Sequence, residues 1–222
     1  TVGSINEYLF LNYVPEDIER NLAMIDELGT PATYNHYPWG WTWAGNTPFR
    51  RWKRETHRGG ISDPFVISWP AGINAKGERR TQYLHAIDVM PTVLGAVDIP
   101  APDHVKGIPQ SPIHGVSLKD SFADAEAPSA RHTQYYEMFA TRSIYHDGWQ
   151  AVCYWPMEKE LTVEGLQELD PGGWELYHVE EDFSEARNVA AENPEKVEEM
   201  VSRWWVEAGK YNVLPPDPRL TS

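Results

Sequence analysis

The step Asp147-Gly148, set between two runs rich in aromatic and β-branched residues, leaves that stretch of chain little choice of fold. Asp-Gly accepts the positive φ values of a two-residue hairpin turn, so Arg142 to His146 and Trp149 to Trp155 are expected to pair as antiparallel strands. Gln134 to Phe139 precedes them with similar composition, and Trp174 to Val179 follows the turn Asp170-Pro171-Gly172-Gly173. The expectation is three or four antiparallel strands beside one helix. That helix has the clearest periodicity of the chain. Asn193 stands at its cap and Pro194 in its first turn, and Val197, Met200, Val201, Trp204, Trp205 and Ala208 follow at i, i+3, i+4, i+7, i+8 and i+11. Cys153 is the single cysteine, so no disulfide framework is available, and its place in a strand-like run marks a buried inert thiol rather than a nucleophile.

The first half of the chain is organised around Asn46 to Pro70. Lys53 lies in a polar approach that runs through Gly59-Gly60 into Phe65-Val66-Ile67-Ser68-Trp69, which reads as a buried central strand. A glycine pair ahead of an apolar run lets the backbone turn tightly and deliver the preceding loop to the end of a sheet, where open α/β folds keep their ligands. Lys53 is then a site candidate, and His57, four residues on, is a second catalytic candidate. The alternative reading of Arg50, Arg51, Lys53, Arg54 and Arg58 is a solvated basic run. Upstream, Thr33 to Trp52 is the most aromatic part of the chain. Trp39, Trp41 and Trp43 alternate with Gly40 and Thr42, which in an extended segment puts all three on one side. Tyr34, His36, Trp39 and Trp41 are candidates for lining a substrate pocket, against the alternative of a satellite core under a long loop.

Around these segments, Pro15 to Leu28 carries Ile18, Leu22, Ile25 and Leu28 at helical spacing and is expected as an amphipathic packing helix, stopped by Gly29. Val89 to Val97 is expected as a short helix capped by Asp88, with Pro91 near its first turn. The proline-rich connector Ile99 to Ile113 and the segment Ala123 to Ala130 mark the best subdomain boundary, dividing the chain into residues 1–130 and 131–222. At 222 residues and 41% apolar content the chain can bury a real core. Nineteen basic against thirty-three acidic residues give a formal charge of −14, which disfavours nucleic acid and anionic membrane as partners. An anionic small substrate stays possible where positive charge is concentrated, as it is in Asn46 to Gly60. No apolar run reaches the ~20 residues of a membrane span. Thr1 is not a natural start, so an export signal is not excluded and the compartment is left open.

Two blocks resemble a known family. The run Lys53 … Gly59-Gly60-Ile61 … Pro64-Phe65-Val66-Ile67-Ser68-Trp69-Pro70, followed by Ile87-Asp88-Val89-Met90-Pro91-Thr92, resembles the C-terminal part of the catalytic domain of type I sulfatases, particularly the bacterial arylsulfatase branch. The ending Trp174-Glu175-Leu176-Tyr177-His178-Val179, Asp182-Phe183-Ser184-Glu185-Ala186, Asn188-Val189-Ala190 and Asn193-Pro194-Glu195 is similar to the closing strand and helix of that family's small C-terminal subdomain. The fold class implied is α/β: the C-terminal part of an alkaline-phosphatase-like catalytic domain, followed by a small α+β subdomain with an antiparallel sheet and a C-terminal helix. The activity implied is sulfate ester hydrolysis, of aryl sulfates in particular, with a formylglycine nucleophile and a Ca²⁺ ion bound by Asp and Asn. Lys53 matches the lysine that contacts the sulfate.

The formylglycine signature Cys-x-Pro-x-Arg does not occur here, since Cys153 is followed by Tyr154-Trp155-Pro156-Met157. Nucleophile and metal ligands are therefore expected in a further N-terminal part of the catalytic domain, which becomes a required partner, and no metal ligand is expected within this chain. The chain alone is expected to be inactive. Arg58 stands where many relatives have Glu, which leaves subfamily and substrate open. A phosphodiesterase or phosphonate hydrolase of the same superfamily, or a non-catalytic binding or assembly module, remain alternatives.

Overall fold

The computed structural model describes residues 17–74, 76–155 and 173–213. In chain order its elements are α1 (Ile18–Ala23), α2 (Trp39–Asn46), α3 (Arg58–Ile61), α4 (Val89–Ala96), the short strands β1 (His104–Val105) and β2 (Ile108–Pro109), the longer strands β3 (Thr133–Met138), β4 (Thr141–His146), β5 (Trp149–Cys153) and β6 (Trp174–His178), and α5 (Pro194–Lys210).

Strands β3 to β6 form an antiparallel meander in sequence order. Asp147 (φ 41°) and Gly148 (φ 82°) make the expected turn, and His146 faces Trp149 across it. The hairpin between β3 and β4 is built the same way by residues that give no such signal: Phe139 and Ala140 both have positive φ, and Met138 faces Thr141. Phe139, expected within the first strand, is thus a turn residue. Side chains alternate across the pleat, so the sheet has two working faces. One carries Ile144, Ala151, Cys153, Trp174 and Leu176, packed against Met200, Trp204 and Ala208 of α5. The other carries Tyr145, Val152, Tyr177 and Val179, with Tyr83 against them.

Helix α5 follows its periodicity with two differences. Asn193 holds the cap position but makes no cap bond; its side chain instead donates to the Val189 carbonyl at 2.9 Å. Trp205, expected in the core beside Trp204, is 37% exposed, because one residue turns the helix by roughly 100° and only Trp204 points at the sheet. Trp204 is fully buried, donates its indole N–H to the Tyr136 carbonyl, and lies under the Arg142 guanidinium. Cys153 is buried in the same face, as its strand context implied.

Ahead of the sheet the outcome is less regular. Residues 65–69 form no strand and no helix, and Val66 is 87% exposed. Apolar, β-branched composition fits a pleated and covered surface, yet a strand exists only through its ladder. The N-terminal segment shortens to α1 and a 3₁₀ turn at Ile25–Glu27, with Asp17 capping the Arg20 N–H at 2.7 Å; Pro15 and Glu16 lie outside the described residues. Its apolar stripe of Ile18, Leu22, Ile25 and Leu28 is exposed, so no packing partner for it stands among the described residues.

Asp88 precedes α4 but gives that helix no side-chain cap. Its fully buried carboxylate accepts instead from the backbone N–H of His85 and of Val116, each at 2.8 Å, and from the Arg131 guanidinium. Arg131 further donates to Gln134 Oε1 and the His114 carbonyl, and Thr92 passes the Asp88 carbonyl contact on to the Leu118 N–H. A buried ion pair with its lone pairs satisfied thus crosses the 130/131 position. Removing Arg131 leaves an uncompensated carboxylate in the interior. Arg131→Ala is expected to lower unfolding free energy by about 3 to 5 kcal/mol, read from urea denaturation followed by tryptophan fluorescence.

Candidate functional site

The segment from Asn46 to Ile61 folds as a closed loop whose neck is held by backbone. Asn46 Nδ2 donates to the carbonyls of Arg51 (2.6 Å) and Gly59 (2.9 Å), and the Gly59 N–H donates to the Arg50 carbonyl at 2.9 Å. Gly59-Gly60 is required for this closure in a way the sequence suggested only generally. A Cβ on Gly59 would stand 2.1 Å from the Arg50 carbonyl oxygen, and one on Gly60 would stand 2.0 Å from that of Glu55.

The C-terminal limb of the loop lies on the second face of the sheet. The Thr56 carbonyl accepts from Ser143 Oγ and Gln150 Nε2, both at 3.0 Å. His57 is fully buried, with Nε2 2.8 Å from Glu175 Oε2. An ionised carboxylate only accepts, so that ring nitrogen is the donor. The same Glu175 oxygen accepts from Tyr177 Oη at 2.5 Å and stands 3.7 Å from Arg50 Nη1, which also donates to Tyr177 Oη and to the Glu185 carbonyl. Burial works against the Glu175 charge, but the hydrogen bonds from His57 and Tyr177 and the electrostatic influence of the neighbouring His57 and Arg50 outweigh it and hold its pKa down at about 2. Tyr177 is driven the other way, by burial and by the carboxylate it bonds.

Glu185 closes the network. It is fully buried, with one carboxylate oxygen accepting the Arg58 N–H at 2.9 Å and the other without a partner among the described residues. Burial raises its pKa to about 7, against the lowering influence of Arg58 and Arg50.

The basic run is divided by function. Arg50 lies over the Tyr177 ring, Arg51 over Tyr154, Arg54 over Phe139, and Arg58 over Phe183 and Phe49. Arg51 and Arg54 hold positive φ values of 62° and 82°, uncommon for such residues, so the tip between them is fixed by the loop's own geometry. Lys53 sits at that tip, exposed, and takes no partner among the described residues. The run is neither a solvated patch nor a single cluster: four arginines fasten the loop and one lysine is presented.

Trp39, Trp41 and Trp43 are not on one side of an extended segment. They open helix α2, started by the Pro38 carbonyl accepting from the N–H groups of Trp41 and Thr42. At helical spacing i and i+4 share a face while i+2 points away. Trp39 and Trp43 accordingly both meet Trp52, at ring-centroid distances of 5.4 and 5.5 Å, and Trp41 projects outward at 70% exposure. Trp52 is the chain neighbour of Lys53, so the Trp39, Trp43 and Trp52 cluster adjoins the lysine. Tyr34 and His36 are exposed ahead of α2. His57, in contrast, offers no atom to solvent.

Among the described residues no group of three or more His, Cys, Asp or Glu converges on a point, and Cys153 is buried in a strand 3.4 Å from Arg142 Nη2. The described residues therefore do not fit a Ca²⁺ site or a formylglycine. Arg50, Glu175, Tyr177 and Glu185 were not evident as site residues from the sequence. The signal available for two of them is Trp174-Glu175-Leu176-Tyr177, in which an acid and a tyrosine alternate with core residues and so must face whatever covers the other side.

Solved structures share this fold, a mixed arrangement of helices and an antiparallel sheet. One comes from work on the metabolism of multiple glycosaminoglycans by Bacteroides thetaiotaomicron, with a TM-score of 0.52, 20% identity, and coverage of 73% of this chain and 32% of that one. The crystal structure of Ps i-CgsB gives a TM-score of 0.52 at 19% identity, over 71% of this chain and 31% of that one. The chain belongs to the family described as N-sulphoglucosamine sulphohydrolase, C-terminal, whose model matches residues 50–207. An uncharacterized sulfatase of Schizosaccharomyces pombe is 28% identical over 193 residues, 84% of this chain and 32% of that protein. A sulfatase of Formosa agariphila is 22% identical over 67% of this chain and 26% of its own length. The chain thus spans about a quarter to a third of the length of these relatives, and the sulfatase resemblance of its two sequence blocks holds.

Glu185 gives a pH test of this network. Its folded-state pKa of about 7 lies above the ordinary 4.5, so its contribution to stability is fully present below about 4.5 and is lost as pH rises through about 7. Glu175, lowered to about 2, contributes stability that is present above about 4.5 and lost only on acidification. Glu185→Gln is expected to gain stability relative to the parent as pH rises from about 4.5 to about 7, measured as urea midpoints across that range. Parallel curves for the two proteins would contradict the assignment.

Proposed function

We propose that this chain is the C-terminal portion of a sulfatase that hydrolyses sulfate esters to an alcohol or phenol plus sulfate, and that Lys53 contacts the sulfate. The observation that carries the reading is the separation of the basic run, in which four arginines dock on rings and Lys53 alone is presented at the loop tip, within the segment matched by the family model. Sulfuryl transfer places negative charge on the non-bridging and leaving oxygens. A pre-placed point charge stabilises that distribution more in the transition state than in the ground state. Residues 1–130 are the C-terminal remainder of the catalytic α/β domain with its connector in this reading, and residues 131–222 form the small α+β subdomain on which the loop docks.

The formylglycine and the Ca²⁺ ion belong, in this proposal, to a further part of the protein, and the chain by itself is inactive. The cluster of Trp39, Trp43 and Trp52 beside Lys53 supports a substrate whose organic part offers a flat apolar face, an aryl ring first, or the apolar face of a sugar ring. Rings of tryptophan favour such stacked partners. The sugar arm draws support from Ps i-CgsB, which was also solved in complex with k-i-k-neocarrahexaose.

Two results test the proposal. In the complete protein, Lys53→Ala should cost about 2 to 4 kcal/mol of transition-state stabilisation, seen as a fall in kcat/KM on an aryl sulfate or a sulfated sugar, with thermal stability unchanged because the side chain is exposed. Faster turnover of a phosphodiester or phosphonate ester than of any sulfate ester would transfer the activity to a phospho-ester hydrolase. The isolated chain should show no turnover of an aryl sulfate, and turnover would overturn the assignment of the nucleophile to another part of the protein.

A further inference from the structure

Among the described residues Lys53 has no hydrogen bond, ion pair or ring contact of its own, so its position is inherited from the loop that bears it. We propose that Arg50, His57, Glu175 and Tyr177 are the positioning residues of Lys53, so that the C-terminal sheet acts in the reaction through the lysine and not only as support for the fold. The inference rests on the reading of Lys53 as the sulfate contact.

The loop is tied at two levels on either side of its tip. At the neck, Asn46 and the Gly59 N–H close the backbone across Arg50 and Arg51. On the limb, His57 meets Glu175 at 2.8 Å, and Arg50, at the start of the loop, meets the same carboxylate oxygen at 3.7 Å. Glu175 therefore clasps both limbs of the loop at a single atom. Tyr177, two residues along β6, bonds that oxygen at 2.5 Å and accepts from Arg50, which fixes the direction in which the carboxylate points. Arg51 and Arg54, the residues on either side of Trp52-Lys53, carry the constraint to the tip by docking on Tyr154 and Phe139 at one end of the sheet. Glu175 lies 118 residues from His57 in the chain, and neither it nor Tyr177 needs to touch substrate to act.

A purely structural network would affect activity whatever residue stands at position 53. A positioning network affects it only through Lys53, and this difference is measurable as non-additivity. The experiment uses the complete protein, with kcat/KM on a sulfate ester as the readout and the thermal midpoint as the control for folding. Glu175→Gln and Tyr177→Phe are each made alone and combined with Lys53→Ala. Tyr177→Phe keeps its ring in the apolar cluster of Tyr145, Val152 and Val179, and it carries the test if Glu175→Gln does not fold.

Each single variant is expected to lower kcat/KM about 10- to 100-fold, the scale of a misplaced catalytic group. In the Lys53→Ala background the same substitutions should cost less than about two-fold. Equal losses in both backgrounds would overturn the proposal, as would single variants with unchanged kcat/KM beside a damaging Lys53→Ala. If Lys53→Ala itself left the rate unchanged, the role of Lys53 would fall, and the clamp's catalytic role with it.

Discussion

One oxygen of Glu175 holds the structure's two halves in register. It receives His57 and Arg50 from the loop and Tyr177 from its own strand, beside the apolar cluster of Tyr145, Val152 and Val179. Each of those polar groups would be costly to bury without a partner, and a single carboxylate answers all three. The nearby Glu185 shows what happens when the answer is incomplete. With one oxygen on a backbone N–H and the other without a partner among the described residues, burial dominates, and the two acids of one network are driven apart, to about 2 and about 7.

What the sequence made legible was local. The Asp147-Gly148 turn, the strands beside it and the α5 stripe depend on neighbours in the chain, and all three formed near their expected limits. The Phe139-Ala140 turn has no comparable signal, because its positive φ values are imposed by the pairing on either side of it. Residues 65–69 and the stripe of α1 failed for the opposite reason: their apolar patterns are real, but pattern specifies a surface to be covered and says nothing of what covers it. Trp41 parted from Trp39 and Trp43 because Pro38 starts a helix where alternation alone suggested extension.

The clamp could not be read from spacing, since His57 and Glu175 are 118 residues apart. It was nonetheless foreshadowed, because the two blocks that carried the sulfatase resemblance are the two that meet. His57 and Arg58 meet the face formed by Glu175, Tyr177 and Val179, and the Arg58 N–H donates to Glu185. Likewise Asp88 in Ile87-Asp88-Val89-Met90-Pro91-Thr92 serves Arg131 and the Val116 N–H rather than the expected cap of α4. Motifs distant in sequence were legible as family likeness, while the contacts that join them required coordinates.

Strand β6 is shared strictly by alternation: Trp174 and Leu176 go to the helix, Glu175 and Tyr177 to the loop. Parity of residue number along this strand therefore becomes a key for sorting natural variation. Substitutions at Trp174 and Leu176 fall on the helix-packed core and should surface as altered abundance of the protein. Those at odd positions reach the loop as well as the second core cluster, and should surface, beyond any loss of protein, as altered performance of the molecules that remain, so neighbouring codons can give rise to defects of different kinds.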